Sequence, residues 1–182
     1  MESGDSVQAS YVPQYERLPE PFEISDGIVV PPGSYQWARY GGSMETADKR
    51  PWVVRVETSW GSFYDGTMQQ VQIGLTVKPS THLSFSFEGE RNDVSLPGGD
   101  FFTTIFSVKG DYNFSPNVSW ANLIQYDNES RELGVQSRFR WILKPGNDLF
   151  VVVNRGWYRA FDGTYRGSFD RGSAKLQYTV IL

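Results

Sequence analysis

The chain is dominated by segments of roughly 9–13 residues in which apolar and polar side chains alternate. In residues 51–61 one face carries Trp52 and Trp60, and the other face carries Arg55 and Glu57. A period of two residues places alternate side chains on opposite faces of a β-strand. Soluble strands average about 5–6 residues, whereas tilted membrane-spanning strands need about 9–11. The pattern predicts an antiparallel β-protein and favours strands that are long enough to cross a membrane.

Composition narrows the possible functions. The 182 residues suit one domain, and no apolar run approaches the length of about 18–20 residues that a membrane-spanning helix needs. A net charge of −4 gives no electrostatic reason to expect nucleic acid as a partner. With no cysteine and one histidine, His82, the chain offers neither disulfides nor the usual zinc ligand sets. We therefore predict no metal and no cofactor.

Prolines divide the alternating segments. Five of the ten prolines lie in the first 32 residues, so residues 1–33 are predicted to form a lead strand and a proline-rich loop. Residues 34–182 are predicted to form a meander of about nine strands, within a single β-barrel domain spanning 1–182. The ten predicted strands cover roughly residues 6–15, 34–45, 51–61, 68–78, 82–91, 102–114, 118–127, 131–143, 148–158 and 172–182.

The connections between these strands are predicted to be unequal. Tight turns contain Pro79, Pro116 and Pro145. Longer connections are predicted on the opposite side, at residues 16–33, 62–67, 91–101, 127–130 and 159–172. Transmembrane barrels have short periplasmic turns and longer external loops. The predicted fold is therefore an all-β, antiparallel, up-and-down transmembrane β-barrel of about ten strands in the bacterial outer membrane.

The ends of the chain add two expectations. The polar start, Met1 to Asp5, lacks the basic and apolar stretches of a secretory signal, so we expect a mature form or a fragment. The last strand is apolar at every second position up to Leu182, as is common in barrel proteins.

Several segments, taken in order, resemble the C-terminal barrel domain of a family of uncharacterised bacterial outer-membrane proteins. They are residues 20–25, 31–35, 63–66, 94–101, 123–127, 138–141 and 144–150. The resemblance covers about residues 15–182. Members often carry an upstream module similar to the family-9 carbohydrate-binding domain of xylanases. The family's barrel is larger, so the resemblance implies that this chain is the C-terminal part of such a barrel. It implies no catalytic residues.

The polar faces supply the candidate functional residues. Six charged residues at middle depth are predicted to line the lumen: Arg55, Glu57, Glu88, Lys109, Arg138 and Arg140. They form either a packed, mutually neutralising interior or a charged ring that selects ions or polar solutes. The opposite face is predicted to contact outer-membrane lipid through Val56, Ile73, Phe85, Val108 and Phe139.

Two other functions remain open at this point. A soluble β-sandwich would also alternate, and it could bind glycans through Trp37, Trp120 and Trp157. A barrel-borne hydrolase would need paired carboxylates such as Glu88 and Glu90, but a polar strand face yields such pairs by default. We therefore predict a non-enzymatic pore, transport or anchoring barrel. Its partners would be lipid and polar solutes or glycans; the sequence does not specify an oligomeric state.

Overall fold

The computed structural model describes residues 4–160 and 162–178, and it consists of β-strands joined by turns. The strands, in chain order, are β1 Ser6–Leu18, β2 Phe22–Ser25, β3 Ile28–Val30, β4 Gly33–Glu45, β5 Trp52–Phe63, β6 Gly66–Val77, β7 Leu83–Leu96, β8 Gly99–Ser115, β9 Val118–Asp127, β10 Glu132–Lys144, β11 Asn147–Arg159 and β12 Tyr165–Gln177. No helix long and apolar enough to cross a membrane is found in these residues.

Ten of the strands form one antiparallel sheet in the order β1-β4-β5-β6-β7-β8-β9-β10-β11-β12, and β2 and β3 form a separate hairpin. Each strand of the large sheet pairs with its neighbours in the chain once that hairpin is set aside. The predicted all-β class, antiparallel meander and ten long strands are confirmed. β1 and β12 are the two ends of this order and do not pair with each other among the described residues, so the sheet is not closed.

The predicted long loops at 62–67 and 91–101 are wrong, whereas the predicted connection at 127–130 is confirmed as a turn between β9 and β10. Only two residues, 64–65, connect β5 to β6, and only 97–98 connect β7 to β8. The predicted loops at 62–67 and 91–101 are therefore mostly strand. On one face of β7, the apolar Phe85 and Phe87 are followed along the strand by the charged Arg91 and Asp93. The strand continues after the apolar pattern of this face has ended, so the loss of apolar alternation after Phe87 does not mark the end of the strand.

Two further boundaries also differ from the prediction. The predicted loop 16–33 contains the end of β1 and the hairpin β2–β3. β12 begins at Tyr165 and not at residue 172, because a glycine-containing polar stretch still pairs with β11 through a register shift near Gly156. The predicted strand end at 179–182 lies outside the described residues.

The chain forms two compact units. The first comprises the described residues up to Gly74 together with Gly89–Thr104, and the second comprises Leu75–Glu88 and the described residues from Ile105 onward. In the first unit, β1, β4 and β5 pair so that Ser43 lies opposite Glu57 and Glu45 lies opposite Arg55. In the second, β8 to β12 pair so that Arg138 lies opposite Ala121 and Val152.

These registers give each unit a polar face and an apolar face. Directly paired residues share a face, and the face alternates along each strand. The polar face of the first unit includes Arg39, Arg55 and Glu57, and that of the second includes Lys109 and Arg140. The alternation in the sequence therefore gives the paired strands of each unit one polar surface and one apolar surface.

Candidate functional site

The apolar face of each unit is exposed. In the first unit Ile73 keeps 52% of its surface accessible, and in the second Phe106 keeps 47% and Ile124 45%. Fully buried apolar residues are few among the described residues, and most of them lie in one cluster described below. Soluble monomers rarely expose a large contiguous apolar surface, so this face is a candidate surface for contact with another molecule or with lipid.

Aromatic residues occur at both ends of this face in the second unit. Phe114, Trp120 and Trp141 lie next to the turns 116–117 and 145–146, whereas Tyr126 and Trp157 lie near the opposite ends of their strands. Aliphatic residues such as Ile124 lie between the two groups. Aromatic residues at both ends of an apolar band are typical of barrels, where they lie at the two membrane–water interfaces.

The indole N–H of Trp120 has a hydrogen-bond partner on this same apolar face. Its Nε1 donates a hydrogen bond of 2.8 Å to Ser137 Oγ on the neighbouring strand. A polar group that faces an apolar medium is costly unless it is hydrogen-bonded. The Trp120–Ser137 hydrogen bond would therefore lower the cost of placing this indole in an apolar medium.

The polar face of the first unit carries a chain of side-chain hydrogen bonds. Arg39 Nη2 donates to Ser59 Oγ at 2.5 Å, and Ser59 Oγ donates to Gln70 Oε1 at 3.2 Å. Gln70 Nε2 in turn donates to Glu90 Oε1 at 2.9 Å. These contacts run from β4 through β5 and β6 to β7.

The chain continues to β8. Asn92 Nδ2 donates to Glu90 Oε1 at 2.9 Å and to Thr103 Oγ1 at 3.0 Å. Glu90 thus accepts hydrogen bonds from both Gln70 and Asn92, and these contacts fix its position within the polar chain. No group of three or more metal-binding side chains occurs in the part of the chain that the structure describes.

The six predicted lumen-lining residues all lie on polar faces, two of them in the first unit and four in the second. Arg55 forms an ion pair of 2.6 Å with Glu45. Lys109 pairs with Asp111 at 3.0 Å, and Arg140 with Asp148 at 3.3 Å.

The other three predicted residues are Glu57, Glu88 and Arg138. None of them has an ion pair or side-chain hydrogen bond within residues 4–160 and 162–178. The polar faces are therefore partly neutralised and still carry charges of both signs. Whether these residues line a lumen remains a prediction.

Sequence reasoning missed Arg39, Gln70 and Asn92 as members of the polar chain. Arg39 and Gln70 each have an apolar neighbour in the sequence, so the two-residue period could have nominated them, whereas Asn92 lies between the charged Arg91 and Asp93, where the period gives no signal. Their partners could not be inferred, because hydrogen bonding across strands depends on register.

Small residues are frequent on the polar faces. In the first unit they include Ser10, Gly41, Ser43, Gly61 and Gly74. In the second they include Ser84, Ser107, Ser119, Ala121, Gly134, Gly156 and Ser173. Next to Gly134, a groove of about 310 Å³ is lined by Gln125, Gln136, Asn154 and Arg171. Short side chains leave space over this surface.

A hydrophobic cluster, here called the cap cluster, lies in the first unit where the hairpin β2–β3 meets strands of the large sheet. Its buried members are Ile28, Val30, Val94 and Leu96. Partly buried residues pack around them: Leu18, Ile24, Tyr35, Phe63, Tyr64, Met68 and Phe101. Residues from six strands of the first unit's sheet and from its hairpin thus meet at one place.

Local sequence explains the hairpin. The turn contains Asp26-Gly27, and Gly27 has a φ of 74°, a left-handed conformation that glycine adopts without steric cost. The Gly27 N–H donates to Glu23 Oε1 at 3.0 Å.

Aromatic residues support the cap cluster on one side. The rings of Trp37 and Phe63 lie within 4.9 Å of the ring of Tyr64, centroid to centroid. The Tyr64 hydroxyl donates to Glu16 Oε2 at 2.8 Å. Burial, together with this bond to a carboxylate, raises the pKa of Tyr64 to about 12. Tyr64 therefore remains a neutral donor at physiological pH.

Comparisons of this chain with family models, with curated proteins and with solved structures found no match.

Proposed function

We propose that this chain is an outer-membrane β-barrel that forms a narrow passage for small polar solutes. The observation that carries the proposal is the exposed apolar face of long, paired antiparallel strands. Water-soluble proteins bury such a face, whereas lipid stabilises it. The polar faces, with their charges and hydrogen bonds, would then surround the interior.

Closure of the barrel would come from pairing β1 with β12. Both strands have 13 residues. With ten strands in an antiparallel order, the first and the last run in opposite directions, so they can pair as the other neighbours do. Unpaired edges in a membrane would leave backbone groups without partners, which costs several kcal/mol for each group. Pro13 in β1 has no N–H to donate, so it would contribute no donor to the new ladder.

The interior would be narrow but not filled. Barrels of about eight strands are filled by their side chains, and wide channels have 16 or more strands. Ten strands would give a slightly larger interior, and the glycines and serines of the polar faces reduce its filling. Ion pairs such as Arg55–Glu45 would make the lining partly neutral. This supports passage of small polar solutes, with no strong preference for one sign of charge.

The alternative of a soluble glycan-binding sandwich has less support. A sandwich needs a second sheet against the apolar face. In the described part of the chain, the other sheet is the hairpin β2–β3, and the cap cluster places it on the polar face.

Reconstitution tests the proposal. We expect the full chain, refolded with phospholipid vesicles, to float with the lipid and resist extraction at alkaline pH, and its vesicles to swell in small sugars faster than empty ones. An unfolded chain added to the same vesicles is the control for adsorption. A folded chain that stays monodisperse without detergent and does not float would contradict the membrane assignment. Flotation without swelling would reduce the function to anchoring.

A further inference from the structure

The hairpin β2–β3 covers one end of the polar face. On β7, the buried Val94 and Leu96 alternate with Ser95, and they continue the row that contains Glu90 and Asn92. Asn92 hydrogen-bonds to Thr103 at 3.0 Å, and both therefore lie on the face that carries the polar chain. At this end of β7, the face that is polar along the rest of the strand therefore becomes apolar.

The other strands show the same change. On β8, Phe101 shares a face with Thr103, and on β6, Met68 shares a face with Gln70. On β5, Phe63 follows Ser59 at a spacing of four residues. All of these apolar residues pack against the cap cluster. The patch is therefore continuous with the polar chain and lies beside it on the same face.

The hairpin is docked on this patch by one of its own faces. Val30 is 1% exposed, whereas its neighbour Val29 is 47% exposed and points away. A Cβ on Gly98 would lie 3.6 Å from Ile28 Cγ2, so the turn 97–98 approaches the hairpin closely. The hydroxyl of Tyr35 donates to the Pro31 carbonyl oxygen at 2.7 Å and fixes the end of the hairpin.

We propose that the hairpin β2–β3 is a plug that closes the barrel interior at this end. The inference rests on the proposed function, because only in a closed barrel does the polar face surround a passage. A patch of apolar side chains inside a wet passage is unfavourable unless something covers it, and the hairpin provides the cover. The docked hairpin then restricts the passage of solutes, and its release widens the passage.

Val30→Asp is the test of the plug. A carboxylate at this buried position must either lose its charge or leave the cluster, so the hairpin undocks. We expect vesicles containing Val30→Asp to swell severalfold faster than wild-type vesicles in the same sugar. Val29→Asp places the same charge on the exposed face of the same strand and is the matched control. Its swelling rate should equal that of the wild type.

A disulfide provides the reverse test, since the chain has no cysteine of its own. Ile28→Cys and Gly98→Cys, combined with Val30→Asp, should restore the slow swelling rate when oxidised and the fast rate when reduced. The short distance between residue 28 and residue 98 makes this crosslink feasible.

The outcomes separate the two proposals. If Val30→Asp floats with vesicles and swells no faster than Val29→Asp, the plug is wrong and the membrane assignment stands. If the wild type does not float, the membrane assignment itself fails, and the plug fails with it. If Val30→Asp alone does not insert, Val30→Thr, which has nearly the same volume, decides the question. We expect it to raise the swelling rate in the same direction, and an unchanged rate would overturn the plug.

Discussion

Phe85→Arg should prevent stable insertion of the chain into a lipid bilayer. Phe85 lies on the exposed apolar face of β7, and its ring packs beside Gly110. An arginine at the lipid-facing midplane of a barrel costs about 2–4 kcal/mol. The measurement is the free energy of folding into vesicles, taken from a urea titration that is followed by tryptophan fluorescence.

The matched control is the next residue on the same strand. Ser86 lies on the polar face, where its hydroxyl is 3.0 Å from Thr76 Oγ1. Ser86→Arg would place the same charge in the interior and should be tolerated better than Phe85→Arg. If Phe85→Arg folds into lipid as well as the wild type while Ser86→Arg fails, the assignment of the two faces is inverted.

Gly66→Ala should destabilise the protein by about 3 kcal/mol, at the upper end of the cost of overpacking. A Cβ at Gly66 would collide with the Ser95 carbonyl oxygen and would lie 3.0 Å from Leu96 Cα. Both neighbours are backbone atoms of β7, so no rotamer change relieves the contact. Because Leu96 belongs to the cap cluster, the substitution should also disturb the docking of the hairpin.

Gly74→Ala is the control on the same strand. Its Cβ would lie 3.6 Å from Arg55 Cβ, an ordinary van der Waals distance. The change should alter the folding free energy by less than about 1 kcal/mol. Equal effects of the two substitutions in the same urea titration would show that β6 and β7 do not approach as closely as described.

The ten strands of the large sheet and their order could be predicted from the sequence, because both depend on local signals. Prolines and glycines mark turns such as Pro116-Asn117 and Pro145-Gly146, and the two-residue period continues between them. The ends of the strands could not be placed in the same way. Arg91 and Asp93 are polar on the side where Phe85 and Phe87 are apolar, so the pattern changes while the backbone pairing continues.

The hairpin β2–β3 was missed for a related reason. Its strands have only four and three residues, and prolines surround them. Asp26-Gly27 between apolar residues is a turn signal that could have located it. Its docking depends on Val94 and Phe101, far away in the sequence, and no local pattern reports such a contact.

A membrane-embedded barrel must turn its apolar face toward lipid and its polar face toward water, and site-specific labelling of β6 tests this orientation. Because the chain has no cysteine, single cysteines at residues 70–76 can each carry an environment-sensitive fluorophore in vesicles that contain a lipid-borne quencher. We expect strong quenching at Val71, Ile73 and Leu75 and weak quenching at Gln70, Gln72 and Thr76. Equal, weak quenching at all of these positions in the folded protein would contradict this orientation.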